Sequence, residues 1–357
     1  MSQATSGATH RRRFLFGGAA VGAGALLAGC TGSGNSEAGG TSDLVGQQQQ
    51  QGANTKPGKT VTIGLSIPSD DHGWMGAIGD NAVAQAESLS DVKLEATEGT
   101  NDVNQQISQV QTLINKKVDV LAILPFNGES LTAVAQKAMQ AGIPVVNIDR
   151  VFASKIAYRT WVGGDNYGMG VSAGNFIASR LKEQGKTNNP NIVEIAGIDN
   201  LPLTQERSSG FSEALESHGF TVTVRQAAEF TPQSGRTVMG NVLQSQDSID
   251  AVWNHDDNQG VGVLAAINQA NRSGEFFMVG GAGSKNMMEH IKSADGPMVA
   301  TVLYPPTMSA SAINIARLIA QERSMADLVE PAVPSEITLH SATVTKDNVD
   351  QYLDIGF

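Results

Sequence analysis

From Thr60 onward, short β-branched runs alternate with longer stretches in which apolar residues recur every three or four positions. Strands are predicted over 61–66, 92–97, 118–124 and 145–148, with helices over 78–89, 103–116 and 130–141 between them. Ile107, Val110, Leu113 and Ile114 show the helical phase, because that spacing puts all four on one face that would lie on a sheet. The alternation then restarts: helices over 167–182, 206–218, 234–243 and 260–271 interleave with strands over 192–195, 222–224, 251–253 and 276–279. Strands separated by helices build parallel sheets covered on both faces. Two such sets predict an α/β chain of two doubly wound parallel-sheet lobes in tandem. The segment 158–164 connects them, and a late strand over 299–303 is placed to carry the chain back.

In open sheets of this kind ligands sit beyond the carboxyl ends of the strands, so those positions are the ones to read for chemistry. In the first set they hold Ser69-Asp70-Asp71-His72-Gly73-Trp74, Asn101-Asp102 and Asp149-Arg150. In the second they hold Asp199-Asn200, Phe230 and His255-Asp256-Asp257-Asn258. Carboxylates accept from paired hydroxyls, a guanidinium donates in a planar fork, and aromatic faces cover the C–H side of a ring. The mixture suits a polyhydroxylated small molecule. Gly73 and the polar residues before Trp74 place that indole on a loop. His255 beside two aspartates is read as a solvated turn: neighbours at a strand end point apart and no second histidine stands at ligand spacing, so no metal is implied. Gly281-Ala282-Gly283 is not a dinucleotide loop, because the third glycine of that fingerprint falls on Asn286. With no nucleophile elbow, phosphate loop or metal motif, neither an enzyme nor a cofactor is indicated.

These segments resemble the sugar-binding branch of the periplasmic binding proteins, the ribose-binding-like receptors of ABC importers, and in particular lipoproteins of the actinobacterial type. The resemblance runs from Thr60 to a late helix ending near Gln321. It rests on Asn101-Asp102-Val103, Ala141-Gly142-Ile143-Pro144-Val145-Val146-Asn147-Ile148-Asp149-Arg150, Val162-Gly163-Gly164-Asp165-Asn166, Gln205-Glu206-Arg207-Ser208-Ser209-Gly210-Phe211, His255-Asp256-Asp257, and Ala300-Thr301-Val302 before Tyr304-Pro305. It implies two Rossmann-like lobes joined by three hinge strands that close on the ligand. The lobes are then 60–162 with about 303–330, and 163–302 with about 331–357. Carried over residue by residue, ligand contacts fall on Asp71, His72, Trp74, Asn101, Asp149 and Arg150 in the first lobe. In the second they fall on Gln205, Phe230 and Asp256, with Tyr304 at the hinge position that often holds glutamine. Two departures stand out: Gln205 where ribose receptors carry a pocket arginine, and Ala282 where they carry an aspartate. A more neutral second lobe puts ribose itself in doubt and leaves another pentose, a hexose or an alditol.

The N-terminus reads separately. Arg11-Arg12-Arg13-Phe14-Leu15 begins an apolar run over 14–28 that ends in Leu27-Ala28-Gly29-Cys30. Spanning a bilayer takes about 20 apolar residues, so this run is an export signal rather than a membrane span. Its start resembles the twin-arginine signal, and its end resembles the lipobox of bacterial lipoproteins, which implies cleavage after residue 29 and acylation of Cys30. Cys30 is the only cysteine, which excludes an internal disulfide. Residues 30–59 are rich in Gly, Ser, Thr, Asn and Gln, have little to bury, and read as a tether.

The formal net charge of −11, more negative once the leader arginines depart, is wrong for phosphate contacts and excludes nucleic acid as a partner. The expected protein is a lipid-anchored receptor on the extracytoplasmic face of the cell membrane. It would capture a monosaccharide or sugar alcohol and deliver it to an ABC permease. A sensory receptor for a sugar or furanosyl autoinducer is the alternative, and a sugar-modifying enzyme a more remote one.

Overall fold

In two inner strands of the first lobe, 120–123 and 145–148, every residue but Asn147 is apolar, because both faces of the sheet are covered there. Within β3 (Val120–Ile123), Val120 and Ala122 enter one buried cluster and Leu121 and Ile123 the other. The period of two thus splits one strand between two cores. The computed structural model describes residues 53–70, 73–326, 328–329 and 332–357. Asp71, His72 and Cys30 lie outside the described residues.

β1 (Val61–Ser66) pairs in parallel with β2 (Val92–Ala96) on one side and β3 on the other. β4 (Val145–Ile148) and β5 (Thr160–Gly164) follow, and β11 (Glu336–Leu339) closes the edge, giving the order β11-β5-β4-β3-β1-β2. The second sheet repeats this plan with β6 (Ile192–Ala196), β7 (Val224–Ala227), β8 (Ala251–Asn254), β9 (Phe277–Ala282), β10 (Met298–Leu303) and β12 (Thr343–Thr345), in the order β12-β10-β9-β8-β6-β7. Only β12 runs antiparallel to its neighbour. Each sheet reverses its order beside its first strand, which is where an open sheet leaves a crevice for a ligand.

Helices α1 (Gly73–Ser88), α2 (Val103–Asn115) and α3 (Gly128–Gln140) cover the first sheet, joined by α9 (Met308–Ala320), which packs on α1 and over β3 and β4. The second sheet carries α4 (Asn166–Glu183), α5 (Pro202–Ser217), α6 (Pro232–Ser245), α7 (Asp257–Gln269) and α8 (Lys285–Ser293). The chain crosses between the lobes three times: after β5 into α4, after β10 into α9, and between β11 and β12. The crossings lie together, since Asp165 N–H donates to Leu339 O at 3.0 Å and Leu303 N–H to Ala342 O at 2.9 Å.

Several boundaries differ from the sequence reading. Trp74 is the second residue of α1 rather than part of a loop, so the indole is set by a helix. The connection 158–164 contains a strand, β5, of the first sheet. Of the segment 331–357, assigned to the second lobe from sequence, Glu336–Leu339 pairs with the first sheet and Thr343–Thr345 with the second. Among the described residues no helix is long and apolar enough to cross a membrane.

Candidate functional site

The carboxyl ends of both sheets face a shared cavity. Trp74, Asp149 and Arg150 line it from the first lobe, Leu203, Arg207, Phe230, Asp256 and Ala282 from the second, and Tyr304 from the crossing between β10 and α9. It holds about 370 Å³ of atom-free space with its open mouth included.

Asp149 follows β4 in a left-handed conformation, φ 56°, which Asp tolerates better than most residues. Buried Asn147 shapes this turn: its Nδ2 donates to Arg150 O at 2.9 Å and its Oδ1 accepts from Phe152 N–H at 3.1 Å. The Asp149 carbonyl accepts from Trp161 Nε1 at 2.7 Å, which frees the carboxylate to point into the cavity. There Tyr304 Oη–H donates to Asp149 Oδ1 at 2.5 Å. Burial, and next the Asp149 charge, raise the Tyr304 phenol well above its ordinary pKa despite Arg207, so it remains the donor. Arg150 Nη1 donates to Phe126 O at 2.9 Å, with the guanidinium 5.8 Å over the Phe126 ring. Trp74 lies against Tyr304, with ring centroids 5.7 Å apart, and its Nε1 donates to Tyr304 O at 2.8 Å.

In the second lobe Arg207 supplies a buried cation. Its Nε donates to Asn166 Oδ1 at 2.9 Å and its Nη1 to His255 O at 3.2 Å. Its guanidinium lies 4.7 Å from the Tyr304 ring centroid and 6.0 Å from that of Phe230. Phe230 is also left-handed, φ 59°, held by its N–H donating to Gln259 Oε1 at 3.0 Å. The tip of the Phe230 ring presses on Gly197; a Cβ there would come within 1.9 Å of Phe230 Cζ, so any larger residue would push the ring away. Asp256 caps α7, its Oδ1 accepting from Asn258 and Gln259 N–H at 2.9 and 3.1 Å, and also lines the cavity.

His255 is wholly buried. Its ring lies against that of Trp253, centroids 4.1 Å apart and planes tilted by 43°, and its Nε2 lies 2.9 Å from Glu194 Oε1. Burial depresses its pKa despite Glu194, leaving a neutral imidazole that donates to the carboxylate. It is therefore a core residue, not the solvated turn expected from sequence, and its part in the cavity is indirect, through the carbonyl that holds Arg207. Among the described residues no group of three or more His, Cys, Asp and Glu side chains could hold a metal.

Trp74, Asp149, Arg150, Phe230, Asp256 and Tyr304 thus converge on one cavity. Two other candidates do not. Asn101 Oδ1 accepts from Ser69 N–H at 3.2 Å at an exposed position away from the cavity. Gln205 sits on the exposed side of α5, its Nε2 donating to Asp199 O at 3.4 Å, and lines a separate surface groove with Ser208 and Arg225. Residues two apart on a helix point about 200° from each other, so Gln205 outside places Arg207 inside. The sequence carried that signal. Thr204, Arg207, Gly210, Phe211 and Ala214 repeat at three and four residues along the buried face of α5. The second lobe is consequently not the neutral wall inferred from Gln205, because Arg207 brings the guanidinium. Ala282 is at the cavity as an apolar surface.

A family model described as a periplasmic binding protein domain matches residues 63–324. The ribose import binding protein RbsB of Bacillus subtilis is 32% identical over 250 residues, 70% of this chain and 78% of that protein. Among solved structures, a Mycobacterium smegmatis protein in complex with β-D-fucofuranose superposes with a TM-score of 0.73 at 25% identity, covering 83% of this chain and 94% of its own. The fructose-binding periplasmic domain of a hybrid two-component system superposes with a TM-score of 0.70 at 28% identity, covering 81% and 92%.

Proposed function

The chain belongs to the periplasmic binding protein family, and we propose that it is the extracytoplasmic solute receptor of an ABC importer, binding a monosaccharide or sugar alcohol between its lobes without transforming it. The observation that carries the reading is the cavity itself. Two carboxylates and two guanidiniums, Asp149, Asp256, Arg150 and Arg207, meet three aromatic faces, Trp74, Phe230 and Tyr304, at the junction of both sheets. Polar groups at the rim of a ring grip hydroxyls while aromatic faces take its C–H side. Because the groups come from both lobes, a ligand satisfies all of them only when the lobes are together, and this favours closure about the three crossings. The ribose import binding protein similarity supports transport. Cys30 anchors the receptor in the membrane through acyl chains, with 31–52 as the tether; the expected tether of 30–59 is shorter at its far end, because 53–59 are held on the first lobe, where Arg317 donates to Asn54 O and Lys56 O and Gly58 N–H donates to Asp91.

A thermal-shift screen of D-ribose, D-allose, L-arabinose, D-galactose, myo-inositol and ribitol tests the reading, since a ligand of the native state raises its melting temperature. A clear shift with at least one of them, followed by a measurable Kd, is the expected outcome; none at millimolar concentration refutes it. Similarity to a sensor's fructose-binding domain favours one second reading, a receptor that reports a sugar to a signalling partner. Deleting the gene separates the two: lost uptake supports transport, whereas intact uptake with a lost transcriptional response supports sensing. Cys30→Ala is expected to release the protein from membranes with its ligand affinity unchanged.

A further inference from the structure

Tyr304 occupies an unusual place in the cavity. Its ring is buried between two of the three crossings, so close to the backbone of β5 that a Cβ on Gly164 would come within 2.2 Å of Tyr304 Cε2. Its outward face meets Trp74 of the first lobe and the Arg207 guanidinium of the second, at 5.7 and 4.7 Å. Its hydroxyl donates to Asp149 Oδ1 and accepts from Asn166 Nδ2 at 3.1 Å. One side chain therefore takes up one oxygen of the first lobe's carboxylate, one face of the second lobe's guanidinium, and the space at the deep end of the cleft.

From this we infer that Tyr304 is a specificity-determining residue that restricts the site to compact polyols of furanose or pentose size. The inference rests on the sugar-binding reading above. A ligand entering the cleft meets the Tyr304 ring as a floor and finds Asp149 Oδ2 as the oxygen left to accept its hydroxyls. Neither the ring nor the Asp149 turn has room to withdraw. The ring is pinned on Gly164, and the Asp149 backbone is fixed by bonds from its N–H to Val162 O and from Trp161 to its carbonyl. An extra hydroxymethyl group on the ligand must then be seated against a fixed wall, which a packed protein accommodates poorly.

The test compares two pairs that differ by one carbon, D-ribose with D-allose and ribitol with D-sorbitol, by isothermal titration calorimetry. The wild-type protein is expected to bind the five-carbon member of a pair at least tenfold more tightly. Tyr304→Ala should narrow that ratio by at least tenfold, by admitting the longer ligand. Tyr304→Phe keeps the floor, and should keep the ratio within about threefold while lowering the melting temperature through the lost bond to Asp149. Should Tyr304→Ala fail to fold, Tyr304→Leu opens the same space in part and should shift the ratio in the same direction. If the wild type binds one of these ligands but the ratio is unchanged in the folded Ala or Leu variant, or the wild type prefers the six-carbon member, the inference is overturned and the sugar-binding reading stands. Binding of none of the four by the wild type overturns this inference, whereas the sugar-binding reading falls only if the six-ligand screen above also gives no shift.

Discussion

Replacing Asp149 separates its role toward ligand from its role in the turn. The residue is 6% exposed, left-handed at φ 56°, and accepts the Tyr304 hydroxyl on Oδ1. Asp149→Asn keeps the volume, tolerates the same backbone and leaves an oxygen for Tyr304. It removes only the charge and converts one acceptor into a donor. A ligand hydroxyl that donates to the carboxylate then loses a charge-assisted hydrogen bond, worth about 1.5–3 kcal/mol. At 1.4 kcal/mol per decade, affinity falls roughly 10- to 150-fold. Asp149→Ala adds two costs to the fold itself. It puts a Cβ-bearing residue without a compensating side chain in the left-handed region, about 1–2 kcal/mol, and leaves the buried Tyr304 hydroxyl without its acceptor, about 1–3 kcal/mol. Calorimetry with the tightest ligand from the screen, paired with urea unfolding, reads both effects. Asn should weaken binding at nearly wild-type stability, and Ala should lower both. An unchanged Kd in Asp149→Asn would remove the carboxylate from the recognition surface, and wild-type stability in Asp149→Ala would refute the account of the turn.

Two buried carboxylates predict opposite slopes of stability with pH. Asp91 is 3% exposed; burial alone would raise its pKa, but Arg317, the Gly58 N–H and Gln321 together hold it at about 2. A group depressed on folding stabilises above its unfolded pKa, so about 2 kcal/mol should be lost as pH falls from roughly 4 to 2. Urea titrations should show this acid limb flattened in Asp91→Asn. Asp257 behaves the other way: burial, the larger influence, and the nearby Asp256 push it to about 7 against donors at Gly281, Ser284 and Thr301. A group raised on folding stabilises below its unfolded pKa, so its contribution should fade as pH rises from about 4 through 7, and Asp257→Asn should lack that slope. Gly197→Ala should swing the Phe230 ring off its seat and weaken ligand binding more than tenfold by calorimetry, with far-ultraviolet dichroism unchanged; undiminished binding would show that the ring is not a wall of the site.

Legibility in the sequence followed the length and phase of the signal. Runs such as Val120–Ile123, buried on both faces, announce themselves as unbroken apolar strands. Glu336–Leu339 and Thr343–Thr345 do not, because they are short edge segments, half exposed, whose pairing depends on strands far away in the chain. Asp149, Arg150, Phe230 and Asp256 could be nominated because a strand end is a place that periodicity locates. The motif match points to Gln205 rather than Arg207 because it fixes only a region, whereas helical phase fixes which residue of the region faces in. The left-handed backbone at Asp149, Phe230 and Ala282 had no sequence mark at all, since handedness at these positions is imposed by tertiary bonds.

That backbone is the deepest link between fold and site. Among the described residues eight non-glycine positions have positive φ. Lys117, Asn271, Ala294 and Glu322 stand just past helix ends, where a left-handed residue is an ordinary way to stop a helix, and Asn189 lies in the loop between α4 and β6. The remaining three, Asp149, Phe230 and Ala282, all line one cavity. Phe and Ala have no polar side chain to compensate locally, so each is held from outside: Phe230 by Gln259, and Ala282 by Tyr304 N–H donating to its carbonyl and by Asp257 accepting from Gly283. Strain of this kind, about 1–3 kcal/mol per residue, persists only where the surroundings over-determine it. The cavity walls are therefore fixed by the two sheets, while the groups that meet across it are linked in series, Asp149 to Tyr304 to Asn166 to Arg207. A ligand that must fit rigid walls is chosen by shape and hydroxyl pattern, and the phenol of Tyr304, placed where that series passes from one lobe to the other, is where a change of shape would be felt first.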